Sequence, residues 1–179
     1  MRRLVDVRDG AVEAAYLDGL ARASLHPEDR PGGSPSRAGD IPLRIAYTAM
    51  HGVGHRLAIR ALARAGFEGV AVTPSQSDPD GAFRTVPFPN PEEPGAMDRV
   101  LALAAETGAE LVLANDPDGD RLAAAVPDVS GRGYRLLTGN ELGVLLADDA
   151  IEHADTSGRP KLVVTTIVSS SLLPRMARD

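Results

Sequence analysis

Two apolar runs flank a short acidic loop, and that arrangement limits what this chain can fold into. Leu111-Val112-Leu113-Ala114 reads as a buried strand, and Leu122 to Val126 as a second one. Between them stand Asn115, Asp116, Asp118, Asp120 and Arg121, in the order NDPDGDR. Three carboxylates within five residues repel one another, and the repulsion raises their pKa values unless positive charge sits among them. Hard divalent cations such as Mg²⁺ prefer oxygen ligands of this kind. A polar turn needs one Asp and a Gly, not three alternating Asp after an apolar strand. The loop therefore reads as a metal site formed by Asp116, Asp118 and Asp120, at a strand end where α/β sheets place their ligands. An EF-hand is a poor match, because its pattern wants Gly where Arg121 stands and Glu where Pro127 stands.

Upstream of the loop, strand and helix patterns alternate. Leu43 to Thr48 reads as a strand and His51 to Ala65 as a helix, with Val53, Leu57, Ala58, Ala61, Leu62 and Ala65 on one face and Gly66 as its cap. Gly69 to Thr73 is a second strand. Ala96 to Thr107 is a second helix, with Met97, Val100, Leu101 and Ala104 at core spacing and Gly108 as its stop. This alternation implies parallel strands with helical crossovers. Beyond the loop, Leu122 to Val126 and Tyr134 to Leu137 form a hairpin. The fold class is thus α/β, a three-layer α/β/α arrangement around a mixed, mostly parallel sheet. Thr138 and Glu141 then make a capping box for a helix reaching about His153.

The flanks differ in character. Gly10 to Ala23 reads as an amphipathic helix, with Val12, Tyr16 and Leu20 as its apolar stripe and Asp9 as N-cap. Leu25 to Asp40 is a Pro- and Gly-rich linker. Lys161 to Val168 is β-branched enough for a strand, and a helix starts at Leu172. The expected organisation is 1–40 as a linking helix and linker, 41–155 as an α/β domain, and 160–179 as the opening of a further, truncated domain.

Composition narrows the function. A net charge of −6 argues against a nucleic-acid partner. The chain has no cysteine, which excludes disulfides and thiolate metal sites and fits a cytoplasmic setting. The N-terminus lacks the apolar segment of a signal peptide, and no apolar run approaches a membrane span.

Three other stretches carry possible chemistry. Ser75 to Pro94 is long for a loop inside a compact domain, and such loops are functional, or are surface loops packed by residues such as Phe83, Val86 and Phe88. His51-Gly52-Val53-Gly54-His55 has the look of a phosphate turn, but the third glycine of a dinucleotide fingerprint is replaced by Leu57. A tight strand-to-helix turn is the simpler reading. Ser169-Ser170-Ser171 has no neighbouring base and reads as an N-cap.

Taken together, these segments resemble the α-D-phosphohexomutase family, the phosphoglucomutase/phosphomannomutase enzymes. DPDGDR at Asp116 to Arg121 is similar to their D-x-D-x-D-R magnesium loop. YTAMHGVG at Tyr47 to Gly54, PNPE at Pro89 to Glu92, LTGNEL at Leu137 to Leu142 and TTIVSS at Thr165 to Ser170 occur in family order. The combination looks most like the branch that includes phosphopentomutase-like members. The resemblance implies the second of four domains, with Mg²⁺ held by Asp116, Asp118 and Asp120 and Arg121 beside a phosphate. It implies reversible phosphoryl transfer between the 1- and 6-positions of a hexose phosphate, or the 1- and 5-positions of a pentose phosphate, through an enzyme phosphoserine and a bisphosphate intermediate. The family's phosphoserine motif, T-x-S-H-N-P, does not occur in the chain, so no residue here is assigned as nucleophile and the isolated chain is expected to be inactive. The implied partners are a sugar phosphate and neighbouring domains of the same protein. One rival remains from the residues alone. A haloacid-dehalogenase-type phosphatase also follows a strand with D-x-D-G, making Asp116 the nucleophile and Asp118 the acid/base, with Asp148, Asp149 and Lys161 as weak matches to its later motifs. A stand-alone metal-binding module is the non-enzymatic reading.

Overall fold

The computed structural model describes residues 10–24, 43–153, 162–167 and 169–176. They fall into two compact units, one holding residues 10–24 and 56–68 and the other residues 43–55 and 69–176.

The first unit contains α1 (Ala11–Ala23) and nearly all of α2 (His55–Arg64). Ion pairs tie the helices together, Arg60 with Glu13 and Arg64 with Asp18. Leu17, one turn beyond Glu13, is buried. The expected stripe of Val12, Tyr16 and Leu20 is instead exposed, because the Glu13–Leu17 edge lies one step round the helix and is the one turned to α2. The N-cap position falls on Gly10 at φ 71°, and Asp9 lies outside the described residues. Helix α2 begins four residues later than its apolar spacing predicts. Met50 and His51 have positive φ, which no right-handed helix admits, so Val53 sits in a turn and is exposed. Gly66, at φ 95°, closes the helix in the left-handed region as expected.

The second unit is built on a five-stranded sheet in the order β2-β1-β3-β4-β5. The strands are β1 (Ile45–Thr48), β2 (Ala71–Val72), β3 (Leu111–Asn115), β4 (Leu122–Pro127) and β5 (Tyr134–Leu136). β1 pairs in parallel with β2 and β3, whereas β4 is antiparallel to both β3 and β5. The sheet is therefore mixed, with β4 the one reversed strand.

Helix α3 (Asp98–Thr107) lies against β1, β2 and β3. Its Met97, Val100 and Ala104 positions meet Ala46, Val112, Ala114, Ala123 and Ala125 in the core. Small alanines on the sheet let the helix come close, and the few large side chains, Met50 among them, fill the remaining space. Gly108 caps α3 in the left-handed region and returns its N–H to Ala104 O. The Tyr134 hydroxyl reaches Ala104 O at 2.9 Å and Ala109 O at 2.7 Å, pinning the far hairpin strand to the end of α3.

Past the hairpin, the capping box forms as its spacing requires. Glu141 N–H donates to Thr138 Oγ1 at 3.2 Å, and Thr138 N–H donates to Glu141 Oε2 at 2.8 Å. It opens α4 (Gly139–His153). Of the expected strand at Lys161 to Val168, Lys161 and Val168 lie outside the described residues, and the residues between them form no strand. Residues 162–166 have no ladder partner among the described residues, so their β-branched side chains lie exposed in an irregular segment. A short α5 (Leu172–Met176) follows, and the Ser170 hydroxyl accepts the Leu172 N–H at 3.1 Å, as an N-cap does. No helix among the described residues is long and apolar enough to cross a membrane.

The Glu141 carboxyl is held below its ordinary value of 4.5, first by the Thr138 backbone hydrogen bond and then by Arg135. A depressed carboxylate contributes stability above its unfolded value, and the contribution is lost as pH falls through the folded one. Wild type should therefore exceed Glu141→Gln in stability above about pH 5, and the two should converge in acid. Thr138→Ala should cost about 0.5–2 kcal/mol at neutral pH. Urea unfolding across pH checks both.

Candidate metal centre

β3 delivers the acidic loop. Its side chains alternate between half-buried and buried, and Asp116 continues that alternation as a buried carboxylate just past the strand. Gly119 turns the chain back at φ 74° and donates its N–H to Asp116 O at 3.0 Å. The alternation then places Asp118 and Asp120, both exposed, beside Asp116. One carboxylate oxygen from each of the three lies within 4.8 Å of the others.

The base of the loop is closed by a residue the sequence did not single out. Asn115 Nδ2 donates to Arg121 O at 2.7 Å, spanning the loop, and Asn115 Oδ1 accepts the Tyr47 hydroxyl at 3.1 Å. Burial pushes the Tyr47 pKa up to about 12, so it remains a donor at any physiological pH. Asn directly after a strand and before a turn was the available signal. Tyr47 opens the YTAMHGVG segment, but nothing in the spacing tied it to Asn115.

Asp116 is the most constrained of the three. It is 6 % exposed, its Oδ1 accepts the Arg121 N–H at 3.0 Å, and its Oδ2 is 3.8 Å from Arg121 Nε. The same Nε is 3.8 Å from Asp120 Oδ1. Arg121 is half exposed and thus offsets part of the repulsion while keeping donors free at the rim. The repulsion is not cancelled. Asp120 is held above its ordinary value of 3.8, first by its hydrogen bond with the Asp116 side chain, then by the charges of Asp118 and Asp116, with Arg121 pulling the other way. The loop thus offers buried and solvent-facing oxygens around one point, with more negative charge than its own arginine neutralises.

Two other motif segments meet this loop at Arg121. Asn90, Pro91 and Glu92 line a cleft of about 230 Å³ with Arg121, Leu122 and Gly139. The long stretch from Ser75 is ordered. A short 3₁₀ turn (Pro74–Gln76) starts it, successive reverse turns follow, and Val86, Pro91 and partly buried Phe83 anchor it. Phe88, expected to be buried, is exposed instead. It falls between two turns with its backbone carbonyl accepting the Asn90 N–H at 2.9 Å. His51 and His55 join no described group of three or more metal-ligating residues, and His51 is buried with Nε2 2.8 Å from Thr85 Oγ1. Asp148 and Asp149, the later positions of the phosphatase pattern, lie on α4 outside that cluster, and Lys161 lies outside the described residues.

Fold and site together define an α/β domain that presents a three-carboxylate loop at the end of a central strand. The family described as "Phosphoglucomutase/phosphomannomutase, alpha/beta/alpha domain II" matches residues 15–131, and the chain belongs to it. A probable phosphomannomutase of Haemophilus influenzae is 43% identical over 136 residues, covering 76% of this chain and 27% of that protein. A human phosphopentomutase is 46% identical over 108 residues, covering 60% of this chain and 18% of its own length. The crystal structure of a phosphoglucomutase/phosphomannomutase family protein from Burkholderia thailandensis shares the fold, with a TM-score of 0.57 at 24% identity, covering 79% of this chain and 26% of that one. The chain spans about a quarter of the length of the Haemophilus relative. Membership favours the mutase reading over the phosphatase one.

Asp120 is a carboxyl whose folded pKa is raised, so without metal the loop stabilises the fold best at low pH and loses that contribution as pH rises through the raised value. In chelator-treated buffer at pH 7, Asp120→Asn should melt at a higher temperature than wild type, and the gap should close as the pH is lowered. An unchanged or lower melting temperature contradicts the electrostatic picture.

Proposed function

We propose that this chain is the metal-holding part of a phosphosugar mutase, with Asp116, Asp118 and Asp120 as Mg²⁺ ligands and Arg121 as a phosphate contact. The single observation that carries the reading is the convergence of three carboxylate oxygens within 4.8 Å, with Arg121 beside them, in a chain of this family. Loop chemistry supports the assignment: all donors are hard oxygens, and the excess negative charge is what a divalent cation relieves.

When bound, Mg²⁺ would neutralise charge on a phosphoryl group and hold it in line for transfer. Asp116, buried and fixed by the Arg121 N–H, sets one ligand direction in advance. Asp118 and Asp120, both exposed, would supply the remaining carboxylate oxygens from the solvent side. The forked Arg121 guanidinium, half exposed at the cleft, suits the oxygens of a phosphate.

In the proposed reaction, phosphoryl groups move between the 1- and 6-positions of a hexose phosphate or the 1- and 5-positions of a pentose phosphate. The phosphoserine and the sugar-recognising loops belong to neighbouring domains. Within the chain, 41–155 is the metal-loop domain, 1–40 links it to a preceding domain, and 160–179 opens a following one. The setting is cytoplasmic. Support for a sugar phosphate comes from the relatives' names, which are those of phosphomutases acting on hexoses and pentoses.

Two outcomes follow for the purified chain. It should interconvert neither glucose 1-phosphate nor ribose 1-phosphate, and turnover by residues 1–179 alone contradicts the division of labour. Calorimetry should give Mg²⁺ binding weaker than about 1 μM, because the phosphoryl ligand is absent. Asp118→Asn should weaken it by about tenfold or more.

A further inference from the structure

We propose that the Met50-His51-Gly52 turn is a brace that positions the acidic loop, with Gly52 and Thr85 as positioning residues. The inference rests on the metal reading above, and it concerns a part of the chain that the reading leaves unused.

Met50 and His51 have φ values of 47° and 64°. Neither is glycine, and a non-glycine residue in that region is strained unless its surroundings hold it there. Here they do. The Met50 side chain is fully buried in the core, and its N–H donates to Thr48 Oγ1 at 3.1 Å. The His51 N–H donates to Gln76 O at 3.0 Å, and its carbonyl accepts the Asp80 N–H at 3.0 Å. Its ring Nε2 is 2.8 Å from Thr85 Oγ1. Gln76, itself buried, closes the network: Oε1 accepts the Thr48 hydroxyl at 2.7 Å, and Nε2 donates to Thr85 Oγ1 at 2.9 Å. Thr48, Gln76, Thr85 and His51 thus form one continuous hydrogen-bonded set. Networks of this kind fix a local geometry because breaking any bond leaves a buried polar group unpaired.

What this fixed turn touches is the acidic loop. A Cβ added to Gly52 would lie 2.4 Å from Pro117 Cα and 2.4 Å from Pro117 O. The neighbouring Val53 N–H donates to Pro117 O at 3.0 Å. Pro117 sits between Asp116 and Asp118, so the turn bears directly on the backbone that carries two of the three carboxylates. The close approach requires glycine, and the hydrogen bond sets the distance. The network therefore fixes where Pro117 sits, and through it the spacing of the oxygens.

The test uses the whole chain and two independent readouts. Mn²⁺ binding is followed by electron paramagnetic resonance, which counts free ion at weak affinities. Amide hydrogen exchange is followed at Gly119 and Arg121 in the loop and at Leu101 and Ala109 at α3. Gly52→Ala should weaken Mn²⁺ binding by roughly 10-fold or more, as changes behind metal ligands do. It should also speed exchange at the loop amides and leave those at α3 unchanged. Thr85→Val should act in the same direction, with Thr85→Ser restoring both readouts. That pair carries the test where Gly52→Ala does not yield folded protein. Unchanged affinity and exchange in Gly52→Ala overturn the brace, as does equal acceleration at the loop and at α3. If wild type binds no Mn²⁺, or Asp118→Asn binds it equally well, the metal reading fails, and the exchange arm alone decides whether the brace stands.

Discussion

Mutual repulsion of three carboxylates at the end of a buried strand is the constraint to which the surrounding structure responds. Asp116 is carried into the protein by the alternation of β3, where a charge is tolerated only with partners. Arg121 supplies one backbone and one side-chain partner. Asn115 closes the loop behind it, and Tyr47 orients Asn115 from the adjacent parallel strand. The Gly52 turn bears on the loop at Pro117. None of these contacts removes the excess charge. They hold it in place, a cost that makes sense where a cation completes the site.

Much of the second unit was legible in the sequence because its signals are local. The 3.6-residue spacing of Met97, Val100 and Ala104, the Gly108 stop and the Thr138–Glu141 capping box each depend on neighbours a turn away, and each appears where expected. The acidic loop was equally legible, since its three aspartates are contiguous with a strand. Signals that depend on distant partners were not. Lys161 to Val168 has strand composition, but residues 162–166 find no ladder partner among the described residues. The Val12–Tyr16–Leu20 stripe promised a buried face, yet the ion pairs of Glu13 and Asp18 select the neighbouring one. Val53 fell outside its helix because Met50 and His51 are held at positive φ by Gln76 and Thr85, residues no spacing rule connects to them.

Several of the motif segments converge on the acidic loop. The glycine turn after β1 touches Pro117, the Asn90–Glu92 segment faces Arg121 across the cleft, and Gly139 at the start of α4 lines the same cleft. The family description, an alpha/beta/alpha domain II, identifies this as one domain of larger proteins.

Locating the ion is the most direct test of the carboxylate site. Crystals of the chain grown with Mn²⁺ and measured at the manganese absorption edge should show an anomalous peak within about 2.3 Å of one oxygen each from Asp116, Asp118 and Asp120, the range of hard-cation–oxygen bonds. A peak elsewhere, or none between these carboxylates at saturating Mn²⁺, would contradict it.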